Sequence, residues 1–299
     1  MAHELKLVNV LSMHGGDNRR RGDLGAFECT YKAEITSIFP LSATEKLYKI
    51  RISDPDERDR FGFRPGQFIM LELPGIGEAP FSISSAHGGA VELCIRRCGN
   101  LTNFLDKVGR GATVGLRGPF GTSFPVEHMH GQNILLIAGG IGLAPLRAPI
   151  SYVLENRCCF GKVDIIYGTK TAEQLIFTYE YDRWRNDEVS LHVVVEHADP
   201  SWQGPVGRTT DVLAEIIARR GGTLKDTCAI VCGPPAMFTS VCSALTKADI
   251  PMQKMFVSLE RRMHCGMGKC CRCNIGSTYT CLEGPVFDYW TVMNLKEAI

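Results

Sequence analysis

A chain of 299 residues with a formal net charge of +1 and 44% apolar residues is long enough for two ordinary globular domains. That balance excludes any general pull toward nucleic acid or an anionic membrane, and no run approaches the roughly 20 apolar residues of a membrane span. The start, Met1-Ala2-His3-Glu4-Leu5-Lys6, lacks the apolar core of a secretory signal, so a cytoplasmic location is expected, and with it few disulfides.

Residues 1–29 show no strong periodicity and are expected to be an extension, with Arg19-Arg20-Arg21 a solvated run. From there to about residue 130 the pattern is short β-branched or apolar runs between Pro, Gly and Asp clusters. They are Lys32–Ile38, Leu47–Ile52, Phe68–Leu73, Phe81–Ser84, Val91–Arg96 and Thr113–Arg117, with one helical insert at Thr102–Val108. Six such strands predict a small antiparallel barrel.

At Asn133 the rhythm changes to continuous apolar runs alternating with helical segments. Asn133–Ala138, Lys162–Tyr167, Leu191–Glu196, Ala229–Cys232 and Phe256–Leu259 read as strands buried on both faces, and Met237 to Ala248 as a helix. This predicts an α/β domain with a parallel sheet over 131–255. The remaining segment, 256–299, is Cys- and Gly-rich and too small for a core of its own.

Thirteen cysteines in a reducing compartment direct attention to ligand spacing. Cys265, Cys270 and Cys273, followed by Cys281 with seven residues between, give C-x4-C-x2-C…C, the spacing of plant-type [2Fe–2S] sites. Gly266 and Gly268 let such a loop wrap tightly enough for backbone N–H groups to face the sulfurs. A four-thiolate zinc site is the alternative, but it more often uses paired C-x2-C hairpins. Cys271 is read as a non-ligand, and Cys29, Cys94, Cys98, Cys158, Cys159, Cys228 and Cys242 as small apolar or free residues.

A glycine turn, Gly139-Gly140-Ile141-Gly142-Leu143-Ala144-Pro145, follows the first parallel strand and opens a helix. There backbone amides can approach a pyrophosphate. Pro145 excludes the G-x-G-x-x-G fingerprint. Cys232-Gly233-Pro234-Pro235 and Tyr167-Gly168-Thr169 end two further strands, so three loops converge on the carboxyl edge of one sheet, where nucleotides bind. Glu196-His197 reads as an exposed loop pair rather than a general base. In the barrel, Arg64-Pro65-Gly66-Gln67-Phe68, Ala79-Pro80-Phe81-Ser82-Ile83-Ser84 and Arg96-Arg97-Cys98-Gly99-Asn100-Leu101-Thr102 are, by themselves, ordinary strands and turns.

These segments in this order, with Arg117-Gly118-Pro119-Phe120-Gly121, resemble the ferredoxin–NADP reductase superfamily over roughly residues 31–290. Within it the chain is similar to the gamma (diaphorase-type) subunits of NiFe hydrogenases and sulfhydrogenases and to dihydroorotate dehydrogenase electron-transfer subunits. The resemblance implies an FAD-binding barrel, an NAD(P)-binding lobe and a C-terminal [2Fe–2S] domain. Pro80, Phe81, Ser82 and Ile83 would line the flavin, and Gly99, Leu101 and Thr102 would face its pyrophosphate, with Arg64 and Arg96 as further contacts. Ala79 stands where many relatives carry an arginine, so Arg96 or Arg97 would supply that phosphate contact. Gly139, Gly140, Gly142, Pro145, Gly168, Cys232, Gly233 and Pro234 would hold the nucleotide. NAD is preferred to NADP, since Lys170, Arg183 and Arg185 are the few cations available for a 2′-phosphate. The resemblance further implies a subunit that passes electrons between NAD(P)H and a partner redox enzyme, a stand-alone reductase being the alternative.

Overall fold

The computed structural model describes residues 30–87, 89–185 and 188–295, so the expected extension over 1–29 lies outside the described residues. The first sheet contains β1 (Tyr31–Pro40), β2 (Glu45–Ile52), β3 (Phe68–Leu73), β4 (Gly77–Ser82), β5 (Ser85–His87), β6 (Ala90–Arg96) and β7 (Thr113–Phe120). Short helices α1 (Pro55–Arg60) and α2 (Asn100–Leu105) interrupt it. All pairings are antiparallel, in the order β4-β3-β7-β1-β2-β6-β5. The two edges, β4 and β5, are consecutive in the chain with only Ile83 and Ser84 between them. The sheet therefore has to curl until its edges meet. Ile83 N–H donates to the Gln67 carbonyl and Ser84 N–H to the Glu92 carbonyl at that seam. The single strand expected at Phe81–Ser84 is thus corrected to two, split where the chain turns the corner of the barrel.

The second sheet runs β10-β9-β8-β11-β12-β15. Its strands are β8 (Asn133–Gly139), β9 (Val163–Thr169), β10 (Val189–Val195), β11 (Thr227–Cys232), β12 (Met255–Ser258) and β15 (Val286–Asp288). The first five are parallel and β15 is antiparallel to β12. Helices α3 (Leu143–Glu155), α4 (Tyr181–Trp184), α5 (Thr209–Arg219) and α6 (Pro235–Lys247) connect them. The continuous apolar run of β8 follows from being covered on both faces. Ile134, Leu136 and Ala138 pack with Leu146, Ile150 and Val153 of α3. Leu135 and Ile137 pack with Leu213 and Ile216 of α5 and Val241 and Leu245 of α6. Residues beyond 255 complete this sheet: β12 pairs with β11, and β15 with β12.

Between those two strands the chain forms a cysteine-rich lobe with a small hairpin, β13 (Asn274–Ile275) and β14 (Thr278–Tyr279), and the short helix α7 (Thr280–Glu283). Helix α8 (Tyr289–Asn294) follows β15. Two buried links tie barrel to α/β lobe. Ser84 Oγ donates to the Ala144 carbonyl at 2.9 Å, and Arg147 of α3 pairs with Glu92 of β6 at 2.5 Å and with Glu180 at 2.6 Å. Among the described residues no helix is long and apolar enough to cross a membrane.

Candidate functional site

The cysteine lobe rests on the outside of the barrel, and the pleat of β3 explains how. Ile69, Leu71 and Leu73 face the barrel core. Phe68 and Met70 point the other way and join Phe120, Met263, Cys273 and Cys281 in a separate apolar cluster. Cross-strand register extends that outward face sideways. Met70 lies opposite Pro80 of β4 and Arg117 of β7, while Phe68 lies opposite Ser82 and Phe120. Directly opposed residues share a face. Pro80 and Ser82 are therefore on the same side of the sheet as the cysteines.

Within the lobe, Cys273 and Cys281 are buried, Cys265 and Cys270 are partly covered, and Cys271 is exposed. Backbone N–H groups surround the sulfurs. Met267 and Lys269 donate to Cys265 Sγ at 3.4 and 3.2 Å, and Gly268 to Cys281 Sγ at 3.0 Å. Gly266 and Gly268 both have φ of +74°, the left-handed backbone that turns consecutive N–H groups inward. A Cβ on Gly266 would stand 3.0 Å from Met70 Cγ, so the loop also lies close against β3. Burial pushes the Cys270 thiol up, but N–H groups of Arg272 and Cys265 outweigh it and hold that thiol at about 7. Burial, with the Cys273 thiol beside it, pushes Cys281 up to about 12. Cys270 thus lies beside Cys265 and Cys281 beside Cys273, with Cys265 near enough to act on Cys281 as well. No three His, Cys, Asp or Glu side chains among the described residues gather as a single metal ion requires. Cys271, at φ +56°, turns away, its Sγ 3.2 Å from the Tyr279 hydroxyl.

Beside this lobe, the edge strand β4 leaves Pro80 and Ser82 half-buried along a ledge on the cysteine side, while Ala79 and Phe81, also half-buried, lie opposite Leu71 and Ile69 on the core side. Ile83 differs: its side chain is fully buried in the barrel core and presents only backbone to the ledge. Gly99 precedes α2, with open space where a Cβ would stand. The Thr102 hydroxyl is already used as a cap, accepting from Cys98 N–H at 2.9 Å and Gly99 N–H at 2.8 Å and donating to the Gly99 carbonyl. Beside that capping hydroxyl, the turn offers the first-turn N–H groups of Leu101 and Thr102. Arg96 pairs with the buried Glu45, and Arg97 with Asp106 at 3.3 Å, while Arg64 is exposed.

The second ledge is at the carboxyl edge of the parallel sheet. The chain leaves β8 toward β9 on one side and returns to pair β11 on the other, so the β8 and β11 ends flank the switch point of the sheet. Gly139-Gly140 and Cys232-Gly233 are those ends. Most of their glycines serve contact between the two turns. A Cβ on Gly142 would collide with the Cys232 carbonyl, and one on Gly139 would stand 2.6 Å from Met237 Sδ. Gly233 packs against Gly139, and the space beside Gly168 is filled by the Thr209 methyl. Gly140 alone of this set combines a left-handed φ, +55°, with open space. Pro145 is buried in α3, Pro234 is exposed as the cap of α6, and the Cys232 side chain is buried, facing Ser258. Glu196 and His197 are exposed after β10. Arg185 lines a pocket against edge strand β10 with His192 and Trp202, whereas Lys170 is exposed after β9.

Three residues join these parts: Ser84 and Arg117, which stand in motif segments with no role assigned to them, and Arg147, which lies in none. Ser84 and Arg147 lock the lobes together, and Arg117 reaches from β7 to the cysteine loop. The pattern FIMLEL in β3 carried the available signal, since apolar residues on both faces of an antiparallel strand require a second covering layer.

Comparison with known proteins agrees with this division. Residues 32–124 match the oxidoreductase FAD-binding domain and residues 136–243 the oxidoreductase NAD-binding domain. Residues 260–293 match the iron–sulfur cluster binding domain of dihydroorotate dehydrogenase B. The chain is 37% identical over 273 residues to the sulfhydrogenase 1 subunit gamma of Pyrococcus furiosus, covering 88% of this chain and 92% of that protein. It is 33% identical over 256 residues to the probable dihydroorotate dehydrogenase B (NAD(+)) electron transfer subunit of Methanocaldococcus jannaschii, covering 85% and 87%. In fold, it superposes with a TM-score of 0.69 at 21% identity on a chain of the NADH-dependent reduced ferredoxin–NADP oxidoreductase, covering 88% and 91%. A ferredoxin NADP+ reductase from Neisseria gonorrhoeae with bound FAD and NADP gives 0.61 at 21% identity, over 73% and 91%.

Proposed function

We infer the role of this chain from its kinship: it belongs to the family of FAD- and NAD-binding, iron–sulfur electron-transfer subunits that includes the sulfhydrogenase gamma subunits. It moves electrons between a nicotinamide nucleotide and a [2Fe–2S] cluster by way of FAD, on behalf of a partner redox subunit. Flavin, when bound, converts the two-electron chemistry of a nicotinamide into the one-electron chemistry of an iron–sulfur centre.

The observation that carries this reading is the register of β3. It sets the β4 ledge and the buried cysteines on one side of one sheet, in contact with the same Phe68–Met70 face. Pro80, Phe81 and Ser82, with the backbone of Ile83, would line the flavin ring. The turn Gly99–Thr102 would face the pyrophosphate through N–H groups, with Arg64 and Arg96 at the rim. The nucleotide would lie across the switch point on Gly139, Gly140, Gly142, Gly168 and Gly233, in turns shaped by Pro145, Cys232 and Pro234. Cys265, Cys270, Cys273 and Cys281 would hold the cluster. What supports a [2Fe–2S] centre is the C-x4-C-x2-C…C spacing with backbone N–H groups aimed at the sulfurs. NAD is favoured over NADP, Lys170, Arg183 and Arg185 being the few cations a 2′-phosphate could use. Free cysteines throughout the described residues suit a reducing, cytoplasmic setting.

Analysis of anaerobically purified protein tests this directly. The expected content is FAD with iron and acid-labile sulfide at about two of each per chain. A colourless protein holding zinc and no sulfide would contradict it.

A further inference from the structure

An ion pair, Arg117 with Glu78, stands at the junction of the β4 ledge and the cysteine loop. Arg117 of β7 is 12% exposed. Its Nη1 donates to the carbonyl of Cys265 at 3.2 Å, and its Nη2 donates to Glu78 Oε2 of β4 at 2.7 Å. Its guanidinium also lies 5.8 Å from the Phe120 ring centroid. A cleft of about 410 Å3 opens here, lined by Glu78, Arg117, His264, Cys265, Met267 and Cys270. Arg117 and Glu78 stand on the Met70–Pro80 side of the sheet, so this ion pair joins the strand offered to the flavin to the first cysteine of the loop.

We propose that Arg117 is a positioning residue that clamps the Cys265 end of the loop to the flavin strand and raises the reduction potential of the centre held there, with Glu78 as its counterweight. This rests on the reading of the four cysteines as cluster ligands. Four thiolates give such a centre a net negative charge, and reduction adds one more. A nearly buried guanidinium beside the loop stabilises the reduced form more than the oxidised one, because screening by water is weak there. The Glu78 carboxylate acts in the opposite sense. A planar fork is what the geometry calls for, since one side chain has to satisfy a carbonyl and a carboxylate at once.

The test uses the full chain, purified anaerobically with its cofactors, as wild type, R117Q, R117K and E78Q. Iron and sulfide content are measured first, and the cluster is then titrated potentiometrically with its paramagnetic signal as readout. At fixed potential R117Q lowers the ratio of reduced to oxidised cluster by about three- to tenfold, tenfold being about 59 mV for a one-electron couple. E78Q raises that ratio. R117K keeps the wild-type ratio within about threefold but, with the fork lost, shows faster amide exchange over residues 264–270. Iron-loaded R117Q and E78Q proteins that both titrate as wild type would overturn the role of Arg117. Should R117Q lose its iron, the clamp is supported and the sign of the E78Q shift decides the electrostatic part. A wild type that takes up no iron would instead overturn the functional reading from which this one starts.

Discussion

Cys270 and Cys271 are neighbours in sequence and opposites in structure. The first is partly covered, ringed by N–H donors and paired with Cys265; the second is exposed, with a left-handed backbone and a tyrosine hydroxyl for company. Replacing each by serine separates ligand from bystander. C270S is expected to lose most of its iron and sulfide, and C271S to retain them; equal loss in both would refute the assignment. Glycines divide in the same way. Ala at 142 drives a methyl into the Cys232 backbone, which has nowhere to go, and is expected to cost about 1–3 kcal/mol as overpacking. Ala at 140 meets nothing and bears only the left-handed penalty of roughly 1–2 kcal/mol. Thermal melts should therefore fall further in G142A than in G140A. The spacing of the glycines was legible in the sequence, but their division of labour was not: which glycine touches the neighbouring turn depends on how β8 and β11 sit side by side.

At the scale of elements, the fold depends on a few buried ion pairs that join pieces distant in sequence. Arg147 on α3 is nearly buried between Glu92 of the barrel and Glu180, and its guanidinium stacks 4.9 Å from the Phe177 ring centroid. R147M strips Glu180 of its cation and leaves Glu92 only the longer contact to Lys49 at 3.9 Å, and a loss of about 3–5 kcal/mol is expected from chemical denaturation. A change below 1 kcal/mol would show that the lobes hold together without it. Asp164 on β9, bonded to His192 and Arg220, tests the electrostatics through pH. Burial pushes its carboxyl up, but those two partners outweigh burial and hold its pKa below the ordinary aspartate value near 4. A carboxyl depressed in the folded state contributes fully above its unfolded pKa, and that contribution is lost as pH falls through the folded value. The stability gap between wild type and D164N should thus be full at pH 6 and should shrink below about pH 4. A gap that widens on acidification would reverse the sign. Both parallel and antiparallel sheets could be anticipated from strand periodicity and from apolar runs. These long-range pairs could not, because Arg147 and Glu92 lie in elements whose meeting is decided by lobe packing.

For the molecule as a whole, the β4 ledge and the cysteine loop share one barrel wall, and the glycine turns stand at the carboxyl edge of the adjoining parallel sheet. The alternation in β3 places the loop outside the barrel and the register of β4 places its ledge beside it. Residues beyond 255 then run back through the parallel sheet as β12 and β15, so the loop is held at both ends by the nucleotide lobe. The sequence pattern alone separates the barrel from the parallel lobe. It does not show that the C-terminal cysteines fold back onto the first lobe, since that contact joins Met70 to Cys273 across some 200 residues and leaves no periodic trace.

Passage of electrons from nucleotide to cluster within this chain is tested most directly by an anaerobic NADH titration of the full chain, read by absorbance and by the paramagnetic signal of the cluster. NADH is expected to bleach the flavin bands and to bring up the signal of a reduced [2Fe–2S] centre in the same protein. Flavin that bleaches while an intact, chemically reducible cluster stays oxidised at every NADH/NAD ratio would contradict it.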